Sequence, residues 1–352
     1  MLPLILLLYQ QKLLWIKLFE RHFSATLKRL PLLRFPFFLP FLFISVVTSN
    51  GTSGCGCDLP VNLTPGGPSI QVPIQLSNGL NRSYLLHLPV TYDKNTATPL
   101  IFSFHGRGHN SSFQEALSGF SRPDWNPDAI VVYPQGINDT WQGDPESTNV
   151  NDMKFVSDMI SSLSSNFCLD DERIYAAGKS NGGGFTNLLA CDPQLSTQIA
   201  AFAPVSPAIY FPNVKSSDCS GSIPNTLHFP CYPGRKIIPI LGFHGIQDEI
   251  IPYNGGPHRS SCVISLLHWL EEWANMQGFG SGVARTSLFD GNITKLEFAP
   301  CTENQGIITH YALNNWYHDW PSRKPSVDTM RTTYIDASPI IIDFFNNHPL
   351  TG

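Results

Sequence analysis

The chain has 352 residues, eight cysteines and a formal charge of −5. After residue 50 it holds 16 Lys and Arg against 26 Asp and Glu, a net of −10, and an acidic body of this kind repels phosphate and excludes nucleic acid as a partner. About three hundred residues beyond that point suffice for one large α/β domain with a well-buried core, and no repeat or Ser/Thr/Pro linker marks off an appended binding module.

Residues 1–50 carry six basic side chains and a single acid, Glu20. Phe35 to Val47 is a short apolar run preceded by Arg34 and followed by small polar residues. With Val47-Thr48-Ser49 as an acceptable cleavage site, residues 1–49 read as a secretory signal region, and the product is expected to be extracellular. The run is too short for a transmembrane span and is interrupted by Pro36 and Pro40, so no stable membrane association is expected. The earlier apolar stretch from Leu2 to Trp15, broken by Gln10, Gln11 and Lys12, reads as an extension of the gene model, with a signal-anchor as the alternative. Residues 50–352 are expected to form a single domain.

Two runs, Gln71 to Leu76 and Ser83 to Val90, separated by the turn signal Asn78-Gly79, predict a hairpin. Pro99 to Phe104 is a strand that leads into His105-Gly106-Arg107-Gly108. A Gly-rich turn after an early strand can present the backbone N–H of Arg107 to an oxyanion. His105 with His109 is a poor metal pair, because no Cys or carboxylate cluster accompanies it, and no metal or cofactor is expected. Asp152 to Phe167 places Phe155, Val156, Met159, Ile160 and Leu163 on one helical face.

Next comes Arg173 to Ala177, which is strand-like, then Gly178-Lys179-Ser180-Asn181-Gly182, then a helix-like segment from Gly183 to Ala190. Strand, tight turn and helix are the context in which a G-x-S-x-G pentapeptide is a nucleophile elbow. The glycines are needed because a side chain beside the serine would clash in so tight a turn. Ser180 is then a nucleophile, and the N–H of Asn181 is the second oxyanion donor.

The apolar run Ile237 to Phe243 reads as a buried strand, and Asp248 lies on the loop leaving its carboxyl end. Glu249, Glu272 and Asp290 are rival acids; Asp248 is preferred because it closes a buried strand. Leu266 to Gln277 is an amphipathic helix. A later strand from Thr309 to Ala312 leads to the loop carrying His318, before a final helix from Ser338 to His348. His258 comes too soon after the acid to sit on another strand end, His268 falls in a helix, His310 in a strand and His348 at the C-terminus, which leaves His318 as the base. Serine, acid and histidine in this order, each after the carboxyl end of a strand, predict an α/β-hydrolase fold: a mostly parallel central sheet flanked by helices. Trp141, Trp316, Tyr317 and Trp320 are the aromatic candidates for contacting a planar acyl group, with core packing as the competing role.

Gly178 to Phe185 with Leu189-Ala190-Cys191-Asp192-Pro193 resembles fungal feruloyl esterases of the polyhydroxybutyrate-depolymerase-like group. His105-Gly106-Arg107-Gly108, Tyr133-Pro134-Gln135-Gly136, Ala203-Pro204-Val205-Ser206, His318-Asp319-Trp320-Pro321 and Pro339 to Phe345 carry the same resemblance, which runs from about Cys55 to Leu350. It implies a secreted serine esterase with Ser180, Asp248 and His318 as its triad, acting on feruloylated plant cell-wall polysaccharide such as arabinoxylan or pectin side chains. An acetylxylan esterase or polyhydroxyalkanoate depolymerase is the alternative on the same fold, and an inactive carbohydrate-binding homologue a remote one. Pro207 stands where many relatives have glycine, Asn181 where many have glutamine, and residues 207–235 form a Cys- and Pro-bearing insertion expected to shape the rim of the site.

All eight cysteines follow the signal region, which predicts disulfides, with Cys168 and Cys191 as one expected pair because each lies near an end of a helix flanking the elbow strand. Asn50, Asn62, Asn81, Asn110, Asn138 and Asn292 begin N-x-Ser/Thr sequons, the mark of a glycosylated surface.

Overall fold

In the computed structural model, which describes residues 51–350 apart from 148 and 229, the buried apolar runs assemble into one ten-stranded sheet. Residues 1–49, read above as a secretory signal region, and the sequon at Asn50 lie outside the described residues. In chain order the elements are β1 (Ile70–Gln75), β2 (Asn81–His87), β3 (Thr98–Phe104), α1 (Ser111–Ser118), β4 (Ile130–Pro134), α2 (Asp152–Asn166), β5 (Leu169–Lys179), α3 (Asn181–Cys191) and β6 (Ala201–Val205). They continue with β7 (Tyr210–Lys215), β8 (Ile240–Gly245), β9 (Gly256–His258), β10 (Ser261–Val263), α4 (Leu266–Gln277), β11 (Val283–Leu288), β12 (Ile293–Phe298), β13 (Ile308–Leu313) and α5 (Ala337–Asn346).

The strand order is β1-β2-β4-β3-β5-β6-β8-β13-β12-β11. The six central strands from β4 to β13 pair in parallel, and antiparallel pairs extend the sheet at both edges. The hairpin forms where Asn78-Gly79 predicts it, with Gly79 at φ 85° and Gln75 opposite Asn81. Strands β3, β4, β6 and β8 are buried along their whole length, as parallel strands covered by helices on both faces must be. Alternate side chains of β3 serve two cores. Leu100, Phe102 and Phe104 join Phe155, Phe185, Trp269 and Trp273 under α2, α3 and α4, whereas Ile101 joins Phe120, Trp320 and Phe345 under α5.

The strand predicted from Ile237 begins only at Ile240. Its lead-in is held instead by a helix: Gln277 of α4 accepts from Ile238 N and donates to Ile238 O (2.9 and 3.0 Å), and Pro239 has no N–H for the ladder.

A second sheet, β7-β10-β9, is built partly from the 207–235 insertion. The disulfides are Cys55–Cys168, Cys191–Cys231 and Cys219–Cys262, while Cys57 and Cys301 are unpaired and exposed. The expected Cys168–Cys191 pair is therefore wrong, and the reason is length. Eleven residues of β5 advance about 36 Å, and eleven of α3 return only about 16 Å, so the two ends stay far apart. All the described residues fall in one unit that runs from Thr48 to Gly352, and no helix among them is long and apolar enough to cross a membrane.

Candidate active site

Parallel pairing brings the carboxyl ends of β3, β5, β8 and β13 to one edge of the sheet, where the chain leaves each strand in a loop. Ser180 sits between the last residue of β5 and the first of α3 with φ 56° and ψ −118°, a strained conformation for a residue with a side chain. Its neighbours explain how the turn is tolerated. A Cβ on Gly178 would lie 2.4 Å from Gly182 O, and one on Gly182 would lie 2.3 Å from Phe104 O, so both positions exclude any side chain.

The structure brings Ser180, His318 and Asp248 into one hydrogen-bonded line. Ser180 Oγ is 2.8 Å from His318 Nε2, and His318 Nδ1 is 2.7 Å from Asp248 Oδ2. Asp248 is buried, and its other oxygen accepts from the N–H groups of Ile250 and Ile251 (2.9 and 2.8 Å). A further donor was not anticipated from sequence: His244 Nε2, fully buried, is 3.0 Å from Asp248 Oδ2 and 2.8 Å from Ile251 O. Both neighbours are acceptors, so Nε2 of His244 carries the proton. Burial alone would raise the Asp248 carboxyl, but hydrogen bonds from His244 and His318 hold it well below the usual carboxylate range. Burial pushes His318 below its ordinary value, against the pull of Asp248 upward, with Lys179 and His244 adding to the lowering.

The rivals stand elsewhere. Glu249 and Asp290 are exposed, and Glu272 pairs with His228. His268 meets Leu227 O, His348 meets Phe344 O, and His310 is buried in β13. His258 does end a strand, contrary to expectation, but the strand belongs to the small sheet; its Nδ1 is 2.7 Å from Tyr210 OH.

The turn after β3 is anchored by His105, whose Nδ1 meets Gly106 O (2.8 Å) while Nε2 accepts from Gly136 N (3.0 Å). These partners require the neutral Nδ1–H tautomer, and burial lowers its pKa to about 4. In the turn, Gly108 N and His109 N are taken by Asp139 O and Gly106 O, which leaves Arg107 N without a protein acceptor among the described residues. The Arg107 guanidinium is turned away into ion pairs with Asp144 (2.9 Å) and Glu146. Asn181 N opens α3 and is one of the unpaired donors of a helix start.

Three of the four aromatic candidates for substrate contact are packing residues instead. Trp141 is wholly buried against Phe104 and Phe185 and donates to His105 O (2.9 Å). Its backbone is clasped by the Asn181 side chain, with Trp141 N donating to Oδ1 at 2.8 Å. Trp316 and Trp320 are buried too, donating to Asp319 O and Ser338 Oγ (2.9 and 3.1 Å). Indoles beside a rigid loop bury more apolar area facing inward than outward. Tyr317 is half-buried under the Arg331 guanidinium, 4.1 Å from the ring centroid. The loop holding them is fastened to the elbow by a buried ion pair, Lys179 to Asp328 at 2.6 Å, and Asp328 also accepts from Trp320 N (3.1 Å).

A cleft of about 130 Å³ opens over Ser180, bordered by Gly106, Arg107, Tyr210, His258 and Arg259. Tyr210, His258 and Arg259 come from the small sheet and its connections, and no sequence motif marks them. His244 did carry a weak signal, four residues before the preferred acid on the same buried run.

In fold the chain is similar to an acetyl xylan esterase from Aspergillus awamori, with a TM-score of 0.55 and 13% identity over 80% of this chain and 99% of that one. Sheet order and likeness together define an α/β-hydrolase. No protein-family model matches. A probable feruloyl esterase C of Aspergillus niger is 30% identical over 223 residues, 61% of this chain and 70% of the relative. Feruloyl esterase B of Piromyces equi is 31% identical over 206 residues, 56% of this chain, which spans 36% of that protein's length. The chain belongs to the fungal feruloyl esterases, carboxylic ester hydrolases of the α/β-hydrolase superfamily.

Proposed function

We propose that this chain is a secreted serine esterase that releases hydroxycinnamic acid from feruloylated plant cell-wall polysaccharide. The observation that carries the reading is the unbroken line from Ser180 Oγ through His318 to Asp248 at the carboxyl edge of the parallel strands. His318 Nε2 takes the Ser180 proton as Oγ bonds to the ester carbonyl carbon. Asp248 holds the imidazole with Nε2 free and balances the imidazolium. The carbonyl oxygen becomes an oxyanion facing the N–H groups of Arg107 and Asn181, each typically worth about 3–4 kcal/mol, and the start of α3 adds its positive dipole end. The C–O bond to the sugar then breaks, and His318 returns the proton to the departing alkoxide. Water repeats the sequence on the acyl-enzyme, releasing the acid and restoring Ser180.

Export is supported by the signal-like segment, by three disulfides and by the exposure of Asn62, Asn81, Asn110 and Asn138 within their sequons. An acetyl ester is the second reading, because the 130 Å³ cleft by itself suits a short acyl chain better than an aromatic one.

The test is hydrolysis of methyl ferulate and acetylated xylan by the purified protein, with Ser180→Ala as the comparison. Ferulate release is expected to fall at least about a thousandfold in the variant with the unfolding midpoint unchanged. Appreciable turnover by Ser180→Ala would sink the serine mechanism. Acetate release without ferulate release would move the substrate to acetylated xylan.

A further inference from the structure

Beside the cleft over Ser180 lies a second, larger cavity of about 520 Å³. Asn181, Ala208 and Tyr210 line both, so the two are neighbours across a thin partition at the start of β7. Only the larger is of the size that encloses a drug-sized aromatic ligand. Leu188, Ile209, Phe211 and Val214 give it apolar walls. Tyr210 is held in place there by its hydrogen bond to His258 and by the ring stack between them, with centroids 5.7 Å apart.

One wall residue has a fixed polar direction. Asn187 Oδ1 accepts from the indole N–H of Trp269 and of Trp273 (2.9 and 3.0 Å). An indole nitrogen can only donate, so the atom between the two rings is the oxygen, and the Asn187 NH₂ has no protein acceptor among the described residues. Asn187 also lines the cavity, to which it therefore offers a donor.

The outer wall is stapled. Cys219–Cys262 ties the end of the β7 segment to β10, and Cys191–Cys231 ties the other end of the insertion to α3. A wall clamped in this way keeps its shape when empty, which lowers the ordering cost of binding.

We infer that this cavity is the acyl subsite, taking a planar aromatic acid whose hydroxyl or methoxy oxygen on the ring accepts from Asn187, while the ester carbonyl reaches Ser180 past Tyr210 and Ala208. The inference rests on the feruloyl reading above and gives the aromatic group the room that the 130 Å³ cleft lacks.

The test compares 4-nitrophenyl ferulate, cinnamate and acetate, which share a leaving group and differ only on the acyl side. Leu188→Trp and, as an independent variant, Val214→Trp are expected to lower the ferulate-to-acetate ratio of kcat/KM at least tenfold. The acetate rate serves as the internal control for folding. Asn187→Asp keeps an oxygen between the indoles but removes the donor. It is expected to lower the ferulate-to-cinnamate ratio about tenfold, a loss that a merely structural role would spread over both substrates. An unchanged ferulate-to-acetate ratio in both tryptophan variants overturns the subsite and leaves the feruloyl reading standing. A wild-type protein that cleaves the acetate but not the ferulate overturns the feruloyl reading, and the subsite with it.

Discussion

His318 faces Asp248 on one side, while Lys179, His244 and His258 stand around it, and the balance sets its proton affinity. Burial, with Lys179 adding to it, outweighs Asp248, so its folded value lies below the ordinary value of about 6.5. The proposed mechanism needs the neutral imidazole, so kcat/KM should be flat near pH 7 and fall only as pH drops through that lowered value. An acid limb with a midpoint above 6.5 would contradict this balance. His244 shares the same carboxylate oxygen, and removing its N–H leaves His318 as the one side-chain partner of that oxygen. His244→Phe is therefore expected to move the acid limb upward and lower kcat about tenfold, the scale of one hydrogen bond to a charge worth about 1.5 kcal/mol. A lowered Tm with an unmoved pH profile would make His244 a packing residue only.

At the scale of elements, the elbow and the small sheet behave differently. The elbow is over-determined: two glycines, the β5 ladder and the Lys179–Asp328 pair all constrain it. The small sheet has two three-residue strands and one of six, too little pairing to stand alone, and Cys219–Cys262 holds its two parts together across 43 residues of chain. Replacing both cysteines by serine is expected to cost about 2–4 kcal/mol in urea unfolding. Limited proteolysis of that variant should cut residues 207–235 first. Cleavage elsewhere before that segment would show that the sheet is held by its own packing.

The molecule carries a set of buried and half-buried histidines whose neutral form is favoured. His105 and His310 are lowered by burial to about 4 and about 3, and His87, His109, His258 and His348 are lowered as well. In the unfolded chain each binds a proton below about pH 6.5, whereas the native fold refuses it until the pH is lower. The unfolded state thus holds more protons in that window, and stability falls as pH drops from about 6.5 toward 4, by up to about 1.4 kcal/mol per unit of difference for the buried His105 and His310 and by less for the partly exposed rings, which solvent screens. Asp248 is shifted in the same direction, by its hydrogen bonds from His244 and His318 against the effect of burial, and its contribution is lost only below the ordinary carboxylate value of about 3.9. Urea midpoints at pH 7 and pH 5 test this: the latter is expected to be lower, and equal midpoints would refute the assignment of neutral buried rings.

The alternation of apolar runs with amphipathic helices, the G-x-S-x-G turn and the order serine, acid, histidine are local or ordinal properties, and each is written in consecutive residues. They suffice for the fold class and for the juxtaposition of Ser180, Asp248 and His318, because parallel strands bring their carboxyl ends together whatever lies between. The cysteine partners, the burial of Trp141, Trp316 and Trp320, and the places of Tyr210, Asn187 and His258 were decided only in three dimensions. A helix returns less than half the distance a strand of equal residue count advances, and that difference in rise selects which cysteines meet. An indole shows no direction in sequence; whether it faces core or cleft depends on which wall lies opposite, and the wall here is an insertion stapled from both ends.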